Sequence, residues 1–162
     1  MKWPMVMVCV VILSGCESKL ATQAVKEAKE SFEEKSYQHA VGLLKLASDE
    51  SSDEKYEHWY EQGEAFLKMI QYGNLDSLDE LLLAWTDLNL VDSQPSFIKE
   101  EAVTYIKERL AEVKVLADEA LESGNTKEAI QYIRLVEKRM GTLEVFKEEI
   151  EELIKLKQEM EG

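Results

Sequence analysis

A chain of 162 residues with 33 Asp and Glu against 19 Lys and Arg carries a formal net charge of -14, and it contains two cysteines. So acidic a balance argues against nucleic acid and against anionic lipid surfaces, both of which need basic patches. The acid is interleaved with lysine, as in Lys26-Glu27 and Lys147-Glu148-Glu149, which is the pattern of solvated helix faces.

The chain opens with Lys2 and an uncharged stretch from Trp3 to Gly15 that closes on Leu13-Ser14-Gly15-Cys16. A positive start, an apolar run and small residues before a cut form the build of a secretory signal peptide. The run is shorter than the about 20 apolar residues of an ordinary membrane span. Its ending resembles the lipobox of bacterial lipoproteins. That resemblance implies acylation of the Cys16 thiol and cleavage before it. Residues 1–15 are then the signal peptide, 16–20 a lipid-anchored tether and 21–162 a single all-helical domain. The chain would meet the membrane through lipid on Cys16, at the extracytoplasmic face of the cell membrane. No Asp follows Cys16, only Glu17 and Ser18, so in a double-membrane cell the outer membrane is the expected destination. A protein cut by the general signal peptidase and secreted, or a short anchor left uncut, are the alternatives. With Cys9 inside the signal and Cys16 lipidated, no disulfide, free thiol or all-cysteine metal site remains.

Beyond Cys16 the only proline is Pro95, and Ala, Leu, Glu and Lys dominate, which favours helix throughout. A first helix is predicted over about Leu20 to Glu34, with Ala21, Ala24, Val25, Ala28 and Phe32 on one stripe. Ser36 is placed to cap a second, about Tyr37 to Ala47, burying Tyr37, Ala40, Val41, Leu44 and Ala47. After a loop at Ser48 to Asp53, the Ser51/Glu54 spacing reads as a capping box. It opens a third helix, about Asp53 to Tyr72, whose Tyr56, Trp59, Tyr60, Gly63, Phe66, Leu67 and Ile70 share a face. Gly73 ends it and Asn74 can cap a fourth, carrying Leu75, Leu78, Leu81, Leu82, Trp85 and Leu88. Pro95 disfavours helix in the residue before it, so a break falls at Val91 to Ser96. A long fifth helix, about Phe97 to Glu122, turns Ile98, Ala102, Tyr105, Ile106, Val113, Ala117 and Ala120 inward. Gly124 ends it, and Asn125 with Glu128 has capping-box spacing for a sixth that buries Ala129, Ile130, Ile133 and Val136. Gly141 stops the sixth. A polar-backed last helix, about Thr142 to Met160, carries Leu143, Phe146, Ile150 and Leu153, and suits the capping role of solenoid ends.

Three helix pairs share a local pattern: a small residue in the first helix (Ala28, Gly63, Ala117), a tight turn, then a small or aliphatic residue early in the second (Ala40, Leu78, Ala129). Small residues suit helices that cross closely, and the turn glycines Gly73 and Gly124 suit a positive φ at a helix end. The pattern looks like degenerate repeats of the tetratricopeptide family, whose pairs recur at about 34 residues. Here Ala40, Leu78 and Ala129 lie 38 and then 51 residues apart, the family's Trp-Leu-Gly start is incomplete, and the proline after each pair is missing. The expected fold is all-α, with helical hairpins stacked as a short tetratricopeptide-like right-handed array of about seven helices after the signal peptide. A non-repeating helical bundle with ordinary hairpin spacing is the alternative.

The resemblance implies a partner-binding surface on the first helix of each pair: Lys29 with Phe32, then Tyr60, Glu64 and Lys68, then Lys114, Asp118 and Leu121. Catalytic and metal motifs are missing. His39 and His58 have no Glu three residues before them, and HExxH, P-loop and dinucleotide fingerprints do not occur. The expected function is therefore a non-enzymatic, membrane-anchored adaptor that binds an unidentified envelope protein, with no cofactor, no metal and no nucleic acid. A structural subunit of an envelope assembly is the alternative, and an envelope hydrolase ranks last.

Overall fold

The computed structural model describes residues 18–73, 77–92 and 94–162. The Leu13-Ser14-Gly15-Cys16 motif, Glu17, Asn74 and Leu75 lie outside the described residues. Among the described residues the architecture is all-helical. Seven helices pack on one another: α1 (Lys19–Glu33), α2 (Tyr37–Asp49), α3 (Glu54–Gln71), α4 (Leu78–Val91), α5 (Phe97–Ser123), α6 (Lys127–Met140) and α7 (Lys147–Glu161). Consecutive helices form the hairpins α1–α2, α3–α4 and α5–α6. α3 joins the first hairpin to α5, and α7 lies against both α5 and α6.

The stripe predicted for α1 is buried, Ala21, Ala24, Val25, Ala28 and Phe32, and so are Ala40, Val41, Leu44 and Ala47 on α2, whereas Tyr37 is only half-buried. On α3 the buried side differs from the predicted face: Tyr56, Gly63 and Phe66 are buried as expected and Gln62, Ala65 and Met69 join them, while Trp59, Tyr60, Leu67 and Ile70 are only half-buried, because neighbours flank the helix on two sides. α5 buries Leu110 in addition to its predicted stripe, whereas Ala120 is only half-buried. The last helix starts late: a 3-10 turn at Glu144–Phe146 precedes α7.

Several helix starts differ from the sequence reading. α1 begins at Lys19, where the Ser18 side chain caps it by accepting from the Ala21 N–H at 3.4 Å. Asp53, not Ser51, caps α3, accepting from the Lys55 N–H at 3.0 Å, while Ser51 accepts from the Asp53 N–H. Asp53 is the residue next to the first helical position, so its carboxylate and not the Ser51 hydroxyl reaches the unpaired N–H groups of the first turn. Thr126, not Asn125, stands at the start of α6, and neither it nor Ser36 makes a side-chain cap bond. The positive φ also shifts. Gly124 adopts one, at 73°, but Gly73 does not, and among the described residues the other positive φ falls on Lys35, at 58°. There the Ser36 N–H donates to Ser31 O and the Lys35 N–H to Phe32 O, the two bonds of a Schellman close. The left-handed conformation costs a lysine roughly 1–2 kcal/mol, partly offset by its 2.8 Å ion pair with Glu108 on α5.

The core is organised by aromatic rings. Phe66 of α3 packs against Phe32 of α1, Tyr37 of α2 and Tyr105 of α5, with centroids 5.0 to 5.9 Å apart. Phe97, at the start of α5, packs on Phe32 and Trp59. Beside it the Ser96 hydroxyl caps α5 and donates to the buried Gln62 carbonyl oxygen at 2.6 Å. These contacts pair position 59 with 97 and 66 with 105, so α3 and α5 run parallel. Two glycines permit the approach of neighbouring helices. A Cβ on Gly63 would lie 2.9 Å from Val41 of α2, and one on Gly73 would lie 1.8 Å from the Tyr105 hydroxyl.

Gly73→Ala forces that hydroxyl out of its place and should cost about 1–3 kcal/mol in urea unfolding. Tyr105→Phe in the Gly73→Ala background removes the clashing oxygen and should restore most of the loss. Equal stability of the single and double variants would contradict this packing.

Candidate partner-binding surfaces

The six polar residues expected to bind a partner fall in three places. Lys29 on α1 stands over two rings of the core, 5.1 Å from the Phe97 centroid and 5.8 Å from that of Trp59. Tyr60, Glu64 and Lys68 form a row on α3 at four-residue spacing. The Glu64 carboxylate accepts from the Tyr60 hydroxyl and so raises its pKa. Lys114 and Asp118 stand on the part of α5 that lies beyond the end of α3. There Lys114 is committed to Glu152 of α7 at 2.6 Å, a bond that holds the lysine pKa up and the Glu152 pKa down. The structure thus brings Tyr60, Glu64 and Lys68 together and separates them from Lys114 and Asp118. Phe32 is buried, while Leu121 is exposed.

Glu64 and Lys68 line a cleft of about 930 Å³ with Lys35 from the α1–α2 turn and Tyr37 and His39 from the first turn of α2. Its charge is mixed. Its wall is fixed by α5: Lys35 pairs with Glu108, and the Tyr37 hydroxyl donates to the Glu101 carboxylate at 2.9 Å. Burial first, and then the Glu101 carboxylate, push the Tyr37 pKa well above that of an ordinary phenol.

A second groove, of about 820 Å³, runs between the C-terminal half of α5 and α6. Its floor is small: Ala117 and Ala120 of α5 and Ala129 of α6. Its walls are Leu116, Tyr132 and Leu135. Leu116 is 51% exposed and Leu135 37%. All its lining residues belong to α5, α6 or the turn between them. The groove is open because of helix lengths. α5 has 27 residues against 18 in α3, about 40 Å against 27 Å at 1.5 Å per residue. Since Tyr105 already lies beside Gly73, the rest of α5 runs past α3. α4 reaches the α5–α6 hairpin near its N-terminus, where Leu78 and Leu81 approach Val136 and Met140 and Asp79 pairs with Arg139. The sequence reading did not single out this groove. Its trace was Leu116 and Leu135, apolar residues off the inner stripes of their helices.

Among the described residues no group of His, Cys, Asp and Glu could hold a metal ion, and no helix is long and apolar enough to cross a membrane. No family model matches the chain, and no curated protein or solved structure shows significant similarity to it.

The raised Tyr37 pKa has a signed consequence. A group whose pKa is raised on folding contributes stability below its unfolded value, near 10 for tyrosine, and that contribution is lost as pH rises through the folded value. Tyr37→Phe should cost about 1 kcal/mol at pH 7 and should lose less further stability than the parent in alkali. Thermal melts from pH 7 to 11.5 check this. Parallel alkaline slopes for parent and variant would exclude a linked role for Tyr37.

Proposed function

We propose that this chain is a bacterial envelope lipoprotein, held at a membrane by lipid on Cys16, whose helical hairpins serve as a protein–protein adaptor. The observation that carries the adaptor reading is the groove between α5 and α6, where Leu116 and Leu135 are exposed beside a floor of alanines. Exposed apolar side chains grouped along one groove are a feature of interaction sites. The anchor rests on the Leu13-Ser14-Gly15-Cys16 ending after an uncharged run. α1 begins at Lys19, three positions after Cys16. At up to about 3.6 Å per extended residue, the domain would sit on the order of 10 Å from the lipid. A partner would then be an envelope protein within reach of that membrane surface. The tetratricopeptide-like reading of the hairpins belongs to the same proposal and is supported by the first hairpin, where the small residues Ala28 and Ala40 are both fully buried between α1 and α2.

Two measurements test this. The parent chain should fractionate with membranes, and Cys16→Ala should be released or remain as the uncut precursor. A membrane-bound Cys16→Ala protein of mature size would exclude the lipid anchor. Benzoyl-phenylalanine at position 135 should crosslink to other envelope proteins in intact cells, whereas at position 159, on the exposed side of α7, it should not. A changing set of crosslinked proteins supports an adaptor. One partner at fixed stoichiometry would favour a structural subunit, and none at position 135 would overturn the groove as an interaction site.

A further inference from the structure

We infer that the α5–α6 groove receives a short cationic amphipathic helix of a partner protein, about three turns long. The inference rests on the adaptor reading and specifies the chemistry of the partner. The length follows from α5, whose groove residues run from Val113 to Ser123, about 16 Å of helix at 1.5 Å per residue. The floor of Ala117, Ala120 and Ala129 lets a helix approach closely, and Leu116 and Leu135 supply ridges for an apolar stripe to straddle.

The chain itself provides the template. On its other side the α5–α6 hairpin is already covered by a helix, α7. That helix docks with Ile150 and Leu153 buried, flanked by ion pairs of both polarities. Lys107 and Lys114 of α5 meet Glu149 and Glu152 of α7, and Glu137 of α6 meets Lys157. The open side has the same apolar centre but one sign of charge. Its charged lining residues are Glu119 and Glu128, both exposed, and neither makes an ion pair among the described residues. A helix lying there must bring the cations. A second copy of this chain, with a net charge of -14, would instead bring carboxylates towards carboxylates. An acidic helix would do the same.

The test uses the full chain in a neutral maltoside detergent and a fluorescein-labelled 14-residue peptide of leucines and lysines patterned as an amphipathic helix. A second peptide carries glutamate in place of each lysine. Fluorescence anisotropy should show saturable binding of the lysine peptide, weakened by salt, and none of the glutamate peptide. The pair Glu119→Lys and Glu128→Lys should weaken lysine-peptide binding at least about tenfold. The pair Glu151→Lys and Glu159→Lys on α7, which changes net charge equally, should leave it within about twofold. Leu116→Asp should abolish it while circular dichroism stays unchanged. Equal loss from both charge pairs would reduce the interaction to general attraction and overturn the inference. So would self-crosslinking of the chain through position 135, which would make the occupant a second copy. Crosslinks from position 135 to other proteins, with no preference for the lysine peptide, would overturn the cationic helix and leave the adaptor standing.

Discussion

The parallel seating of α5 on α3 is the constraint on which the rest of the molecule depends. It is set by rings: Phe97 on Trp59 and Phe32, and Tyr105 on Phe66. Pairs of this kind contribute about 0.5–1.5 kcal/mol each beyond the area they bury. A polar lock stands at one end, where Ser96 caps α5 and holds the buried Gln62. At the other end Gly73 leaves room for the Tyr105 hydroxyl. Sliding α5 by one turn would break the lock, part the rings and drive a side chain into the backbone at Gly73.

Once that register is fixed, the excess length of α5 has to go somewhere. It extends past α3 and packs with α6 and α7, where Leu110, Val113, Ile133, Ile150 and Leu153 continue the one hydrophobic core of the described residues. The ion pairs around it lie largely at the surface, and such pairs contribute about 0–1 kcal/mol each. They fix the register of α7 more than they stabilise it. α5 therefore packs both on α3 and on α6 and α7, and the α5–α6 groove lies on the side that α7 leaves free.

The ends of the helices show where local reasoning reached its limit. Ser18, Ser36 and Ser96 all stand at N-cap positions, yet only Ser18 and Ser96 accept a backbone N–H. At Ser36 the φ and ψ of the residue, set by the left-handed Lys35 before it, leave the hydroxyl unbonded to the helix. Lys35 itself was unreadable as a left-handed residue, because its ion-pair partner Glu108 is 73 positions away. Gln62 lies off the predicted stripe of α3, yet it is fully buried. It is buried because Ser96 arrives beside it from the start of another helix.

The sequence by itself determined the helical class, the buried stripe of α1, most of that of α2, most of the core of α5, and the N-terminal motif on which the lipid-anchor reading rests. Those features depend on a 3.6-residue period or on adjacent residues, which any stretch of chain displays without its neighbours. Tertiary structure alone decided the register of α5 on α3, and with it which apolar residues remain exposed. Leu116 and Leu135 are ordinary helix residues in the sequence. They line a groove only because rings near the start of α5 seat it too far along α3 for the second hairpin to cover its far end.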